Sequence, residues 1–266
     1  MGSWSYVTHQ ARFIYAPLFW PFMTFLSHPE YQHVVLLRHA ETEENVRGIV
    51  QGHYNPEPKH ADVLPTLVDA VLALETEAGP LRAVYTTDLR RGCAPAIDLV
   101  RKIESRKTAE ARKEDETAHA VYLFLKATHD LRERHLGGYQ GKSYDVLIPP
   151  SPGQVVDRAV RRSQLIRILR ELDDETVRSS GGESLAEFKA RVHRIADVYV
   201  RPARGYRILM SHMGVMDHML DELGDVMPPG QYRWANNLQG YHLILKEGNL
   251  VEKRDFTPEI VYPSRP

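Results

Sequence analysis

An α/β fold, built as a three-layer sandwich with a mostly parallel central sheet flanked by helices, is what this 266-residue sequence predicts. Three observations carry the prediction. Short apolar runs rich in β-branched residues alternate with segments of helical periodicity. The runs at Val34–Leu37 and Arg207–Ser211 each stop abruptly at a histidine or an arginine-histidine pair. Val34–Leu37 and Ile208–Met210 are also apolar at every position rather than alternating, as strands covered on both faces are.

Taken in order, Val34-Val35-Leu36-Leu37 is the first predicted strand, with Arg38-His39 at its C-terminal end. Leu64 to Ala78 carries apolar residues at 64, 67, 68, 71, 72 and 74, close to helical spacing, and Gly79-Pro80 terminates it. Ala83 to Thr86 reads as a second strand, followed by a helix from about Leu89 to Lys102. From Arg101 to Thr117 large apolar residues almost vanish, which predicts a solvated helix end or a mobile insertion. Glu104, Glu110, Glu114, Asp115 and Glu116 interleave with the bases there and argue against a nucleic-acid patch.

Ala120 to Leu125 looks like a third strand, Pro149 to Gly153 a surface loop, and Val155 to Leu172 an amphipathic helix. After Gly181-Gly182-Glu183-Ser184, the residues Leu185, Phe188, Val192, Ile195, Ala196 and Tyr199 share one face of a long helix. Arg207 to Ser211 is a further strand that ends at His212, and a helical pattern follows from Gly214. Tyr241–Leu245 and Leu250–Phe256 flank Gly248-Asn249 and predict a β-hairpin turning on that pair. No internal repeat is apparent.

The length suits one core: a single domain over 33–266, with insertions near 101–120 and 145–180, behind an N-terminal extension over 1–32. Phe13 to Leu26 is the most aromatic stretch, broken by Pro17 and Pro21, with Arg12 alone before it and no small-residue cleavage site. It reads first as a packing arm or irregular extension, ahead of a membrane-surface or partner contact and of a secretory signal, and it is too short to span a bilayer. With 34 basic against 35 acidic side chains the chain has no bulk field to hold nucleic acid or an anionic membrane. Its single cysteine, Cys93, excludes an internal disulfide framework and suits a reducing compartment, the cytoplasm or the nucleus.

The chemistry gathers at two histidines. His39 and His212 each follow an apolar strand directly, and in an open parallel sheet ligands bind outside the carboxyl ends of the strands. Arg38 precedes one, and backbone amides at a helix start follow the other. Guanidinium groups and helix-start amides both bind phosphate oxygens, which favours phosphate over carboxylate or metal. Eight other histidines, His53, His60, His119, His129, His135, His193, His218 and His242, show no metal-ligand spacing, and surface or packing roles are expected of them.

Five motifs in order give the site a family resemblance. Leu37-Arg38-His39-Ala40-Glu41-Thr42-Glu43-Glu44-Asn45, followed by Gln51-Gly52, resembles the opening L-R-H-G-E-[ST]-x-x-N and Q-G of the histidine phosphatase superfamily, whose fold is phosphoglycerate mutase-like. Tyr85 to Arg91 resembles its Y-[ST]-[ST]-x-L-x-R, and Leu131 to Gly141 the segment that carries its acid. Gly182-Glu183-Ser184 and Ser211-His212-Met213-Gly214 are similar to its last two motifs. The resemblance implies that His39 attacks phosphorus and becomes a phosphohistidine, that Arg38, Arg91 and His212 neutralise the transferring oxygens, and that Glu133 protonates the leaving alkoxide and then activates water. It implies hydrogen bonds to phosphate or substrate from Asn45 and Gln51, and neither metal nor cofactor.

Four residues depart from the pattern: Ala40 for glycine, Gly92 and Pro95 for an alanine and a threonine after the arginine, and Met213 for a small residue, where it would narrow the pocket or bear on substrate choice. The expected function is a phosphatase of small phosphomonoesters, with no nucleic-acid partner, no transmembrane segment, and an oligomeric state left open, a dimer included. A phosphoglycerate mutase is the alternative, because Glu133-Arg134-His135 through Gln140-Gly141 also resembles the mutase motif; the Arg47-to-Gly52 stretch argues against it. A catalytically silent scaffold of the same fold is the second alternative, opposed by the intact Arg38, His39, Arg91, Glu133 and His212. The lid that would select the substrate is expected from roughly 101–120 and 145–180.

Overall fold

The computed structural model describes residues 30–259, apart from 61, 63, 64, 118, 203, 204, 229, 230 and 232. The aromatic Phe13–Leu26 segment lies outside the described residues. Six strands form one mixed sheet: β1 (Tyr31–Arg38), β2 (Leu81–Thr87), β3 (Phe124–Thr128), β4 (Gly205–Ser211), β5 (Gly240–Lys246) and β6 (Asn249–Phe256), in the order β3-β2-β4-β1-β5-β6. The pairs within β3-β2-β4-β1 are parallel, and β5 and β6 add an antiparallel edge. Among the helices are α1 (Glu43–Arg47), α2 (Pro65–Ala73), α3 (Arg90–Glu114), α4 (Arg158–Glu171), α5 (Leu185–Ile195) and α6 (Met213–Glu222). Among the described residues no helix is long and apolar enough to cross a membrane.

Strand β1 shows why its run is apolar on both faces. Val34 and Leu36 pack into one core with Phe188, Val192 and Ile195 of α5 and Met216 of α6. Val35 and Leu37 point the other way, into a second core with Leu67 and Val71 of α2 and Leu99 and Ile103 of α3. Successive strand residues face opposite sides, so a strand between two helical layers needs apolar residues at every position.

Several expected elements differ in detail. The third strand begins at Phe124 rather than Ala120, because the backbone before it is taken by α3: Val121 N–H donates to Thr108 and Leu123 N–H to Glu104. The charged stretch after Arg101 is the continuation of α3 as far as Glu114. The helix expected to start at Val155 begins at Arg158, capped by Asp157, and Val155 is exposed. The helix over 65–78 breaks at Leu74 into α2 and the short turn Glu75–Ala78. The hairpin turns on Glu247-Gly248, both at positive φ, with Asn249 already paired to Lys246; right-twisted strands favour such a primed two-residue turn. Ser184 caps α5 in a reciprocal capping box with Glu187, and one wider turn, Ala196–Val200, prolongs that helix past Tyr199 to Val200.

Candidate active site

Strands β1 and β4 are parallel neighbours in a register that pairs Arg38 with Ser211, so His39 and His212 leave the sheet side by side. Their ring centroids are 4.9 Å apart and both are buried. Backbone bonds fix the exits: His39 N–H donates to Ser211, Arg38 N–H to Gln239, and the Asn237 side-chain amide to the His39 carbonyl.

Each imidazole has a tautomer set by its neighbour. His39 Nδ1 lies 2.6 Å from the carbonyl of Ala40, which can only accept, so Nδ1 carries the hydrogen and Nε2 keeps its lone pair. His212 Nδ1 lies 3.3 Å from Nη2 of Arg91, which can only donate, so the hydrogen sits on Nε2. That Nε2 is buried with no partner in the protein, as are Nε of Arg38 and Nε of Arg91. Burial, reinforced by the guanidiniums of Arg91 and Arg38, holds His39 well below the ordinary imidazole pKa, and burial with Arg91 does the same to His212. Arg91 is itself lowered by burial, to about 10, and stays cationic at neutral pH.

Arg91 lies in the first turn of α3, and its Nη2 donates to the carbonyl of Gly52. Two of the departures from the family pattern become legible here. A Cβ at Gly92 would stand 2.3 Å from Cγ2 of Thr87, so glycine lets the helix start press against the end of β2. Pro95, inside α3, has no N–H to offer the Arg91 carbonyl, and that oxygen accepts instead from Ala40 at 3.0 Å. Ala40 in turn buries its methyl in the second core, which accommodates the replacement of glycine.

Glu133 is buried, and despite its neighbours it pairs with neither of them. Arg132 makes a two-pronged salt bridge to Asp88 at 2.7 and 2.6 Å, and Arg134 reaches Asp174. The Glu133 carboxyl accepts from two backbone amides, Arg134 at 2.9 Å and Gly214, at the start of α6, at 3.0 Å. Burial raises its pKa above the usual carboxylate value, opposed by those two amides and by Arg91. Its loop is clamped from behind by Arg191, which donates to the carbonyls of Asp130, Arg132 and Glu133 and to the carboxylate of Glu183.

All eight residues expected at the site, Arg38, His39, Asn45, Gln51, Arg91, Glu133, His212 and Met213, line one pocket. Gln51 Oε1 is buried without a partner, while Asn45 Oδ1 is occupied in the capping box of α1 with Thr42. Met213, buried, puts its side chain into the pocket wall. Among the described residues no group of three or more His, Cys, Asp or Glu could hold a metal ion. The arrangement can place one deprotonated nucleophilic nitrogen, a cluster of cationic and neutral donors, and one carboxylic acid around a single tetrahedral anion.

Sequence reasoning missed Tyr144, Leu165, Trp234, Asn236 and Asn237. Tyr144 and Leu165 line this pocket, and all five line an adjoining cleft that shares Arg38 and Asn45 with it. Of the segments expected to form a lid, 145–180 supplies Arg161, Arg162, Leu165 and Leu169, whereas the described residues of 101–120 supply no lining residue to either space.

A family model described as histidine phosphatase superfamily (branch 1) matches residues 34–250. The chain belongs to that superfamily. A search of curated proteins by sequence finds no match. Among solved structures the superfamily fold recurs in a mycobacterial glucosyl-3-phosphoglycerate phosphatase, at 22% identity and TM-score 0.52, over 85% of this chain and 97% of that one. It recurs in a putative α-ribazole-5′-phosphate phosphatase from Escherichia coli, at 14% and 0.53, over 85% and 95%. A phosphoglycerate mutase from Bacillus anthracis matches at 16% and 0.51, over 88% and 94%. Phosphatases and a mutase thus share this histidine phosphatase fold, and the likeness at these identities is one of fold alone.

Proposed function

We propose that the protein is a phosphatase that hydrolyses phosphomonoesters through a phosphohistidine on His39. One observation carries the reading: the Ala40 carbonyl holds His39 Nδ1–H, so Nε2 is the free nucleophilic nitrogen, in a pocket whose other walls bring guanidiniums, an imidazole N–H and a carboxylic acid.

In the first half-reaction Nε2 attacks phosphorus, the bond to the leaving oxygen breaks, and Glu133 passes its proton to that oxygen. Arg38, Arg91 and His212 Nε2–H receive the equatorial oxygens. Charge is stabilised there by donors already fixed in place, which dominates phosphoryl transfer. In the second half-reaction water attacks phosphorus, the P–N bond breaks, and Glu133 takes the water proton. Gln51 and the side-chain nitrogen of Asn45 add hydrogen bonds, and Met213 narrows the wall beside them.

The test is turnover of p-nitrophenyl phosphate at mildly acidic pH by the wild type and by His39→Ala, with trapping of an acid-labile, alkali-stable phosphoenzyme. Turnover and a trapped species in the wild type alone are expected. Equal activity in both proteins, or none in either, overturns the reading. Phosphoryl transfer to phosphoglycerate faster than to water would make the enzyme a mutase instead.

A further inference from the structure

Two loops help to close the phosphoryl pocket, one carrying Gln51 and Gly52 and the other carrying Glu133, and His53 joins them. Gly52 and Tyr54, its neighbours in the chain, give their carbonyls to the Arg91 guanidinium, the first at 2.7 Å. His53 itself faces the acid. Its Nε2 lies 2.9 Å from the backbone carbonyl of Glu133, an oxygen that can only accept. Burial, reinforced by the neighbouring His135, pushes the His53 pKa down to about 4. At mildly acidic and neutral pH the ring therefore carries one hydrogen, and the carbonyl puts it on Nε2.

The carbonyl of Glu133 and the N–H of Arg134 are two ends of one planar peptide and point in opposite directions. The N–H end donates to the Glu133 carboxyl, at Oε1, over 2.9 Å. Holding the carbonyl end therefore aims the N–H end, and with it the carboxyl. Arg191 also reaches this carbonyl, at 3.3 Å, but its guanidinium is divided among two further carbonyls and the carboxylate of Glu183. His53 is the closer donor. Its own place is fixed, because its backbone N–H donates to Gln140 Oε1 at 2.5 Å and the His135 ring meets it edge-on, 4.6 Å between centroids.

We propose that His53 is a positioning residue: through its bond to the Glu133 carbonyl it sets where the Glu133 carboxyl stands relative to Arg91. The contacts run from Arg91 through the Gly52 and Tyr54 carbonyls to His53, and on through the Glu133 peptide to the carboxyl. The acid and the arginine are kept in register by one side chain. This rests on the phosphatase reading for its kinetic assay and has an exchange assay that does not.

The variants are His53→Leu, which removes the donor at similar size, and His53→Gln, whose side-chain amide keeps an N–H near the place of Nε2. His53→Leu is expected to lower kcat/KM on glycerol 1-phosphate by about tenfold, the upper range for one lost hydrogen bond. The loss should be far smaller on p-nitrophenyl phosphate, whose leaving group needs little protonation. His53→Gln should recover most of it. In a Glu133→Gln background, on glycerol 1-phosphate, His53→Leu should cost no more than about twofold further, because the two residues act as a unit. Equal losses on both substrates, an undiminished loss in the Glu133→Gln background, or a His53→Gln variant as impaired as His53→Leu overturns the proposal. If the wild type turns over neither substrate, the phosphatase reading fails, and hydrogen exchange at the Arg134 amide decides the positioning role. Faster exchange in His53→Leu than in the wild type and His53→Gln supports it, and equal exchange in all overturns it. Should His53→Leu not fold, His53→Met, equally without a donor, takes its place.

Discussion

The backbone N–H of Gly214 donates to Glu133 Oε2 at 3.0 Å, and a Cβ on Gly214 would stand 2.3 Å from the other oxygen of the same carboxyl. The helix that starts after His212 therefore both holds the acid and leaves room for it. Gly214→Ala keeps the N–H and favours the helix by up to about 1 kcal/mol. The clash is with the far end of a side chain, so the fold survives and the carboxyl moves. The expected outcome is an unchanged or raised Tm with kcat on an alkyl phosphate lowered by roughly a hundredfold, the lower end of what general acid catalysis contributes. Unaltered kcat in the variant would show that Glu133 reaches the leaving group from elsewhere.

The pH dependence follows from opposite shifts on two groups. Glu133, raised by burial, must be protonated to donate, so activity falls as pH rises through its elevated pKa. His39, lowered by burial and by Arg91, must be neutral to attack, so activity falls only as pH drops well below 6.5. A kcat/KM profile with an acidic optimum is expected. Glu133→Gln should lower kcat/KM far more for an alkyl phosphate than for p-nitrophenyl phosphate, whose leaving group needs little protonation. Equal losses on both substrates would count against Glu133 as the acid.

How far the sequence carried this picture varies along the chain. The strand ends at Arg38-His39 and Ser211-His212 are legible because a run apolar on both faces collides with charge there, and that collision also locates the site. Strand β3 is at the sheet edge, with Phe124 largely exposed, so burial does not mark where it starts; side chains of α3 decide that instead. The Glu247-Gly248 turn places a glutamate at positive φ, which turn propensities disfavour. The cleft is illegible for another reason. Its walls come from α1, α4 and the 234–237 loop, far apart in sequence, and only their packing joins them. A cue did exist in Arg161-Arg162: Arg162 has no acid at i±4, and the one at i−4 of Arg161, Asp157, caps α4 instead, in contrast with the Arg167–Glu171 pair.

Stability should also respond to acid, through histidines outside the site. His242 on β5 is buried against His33 on β1, with His33 Nδ1 and His242 Nε2 3.1 Å apart; burial and that neighbour push His242 down to about 3. Its folded pKa lies below the unfolded value of 6.5. The stabilisation is therefore complete above pH 6.5 and is lost as pH falls toward 3, at up to about 1.4 kcal/mol per pH unit. The buried His39 and His212 act in the same direction. Glu133 acts oppositely, since its raised pKa stabilises the fold at low pH and loses that contribution as pH rises. His242→Leu should flatten the decline of Tm between pH 7 and pH 4, read by thermal melts at fixed ionic strength. A decline as steep as that of the wild type would place the acid sensitivity elsewhere.

The bond from Ala40 N–H to the Arg91 carbonyl exists because Pro95 cannot make the helical bond to that oxygen. It ties the loop after His39 to the arginine beside it. Pro95→Ala restores an N–H that competes for the oxygen. The variant regains a helical hydrogen bond and loses part of a buried ring, two changes that oppose each other in the melt, so Tm should move by only a few degrees. The loop should loosen. A contested hydrogen bond is worth about 0.5–1.5 kcal/mol, which predicts a roughly two- to tenfold fall in kcat/KM. Because Nδ1 of His39 is held by the carbonyl of this same Ala40, the fall should appear in the rate of phosphoenzyme formation rather than of its hydrolysis. A slowed hydrolysis step with normal phosphoenzyme formation would instead place the effect on the water-activating side, at Glu133.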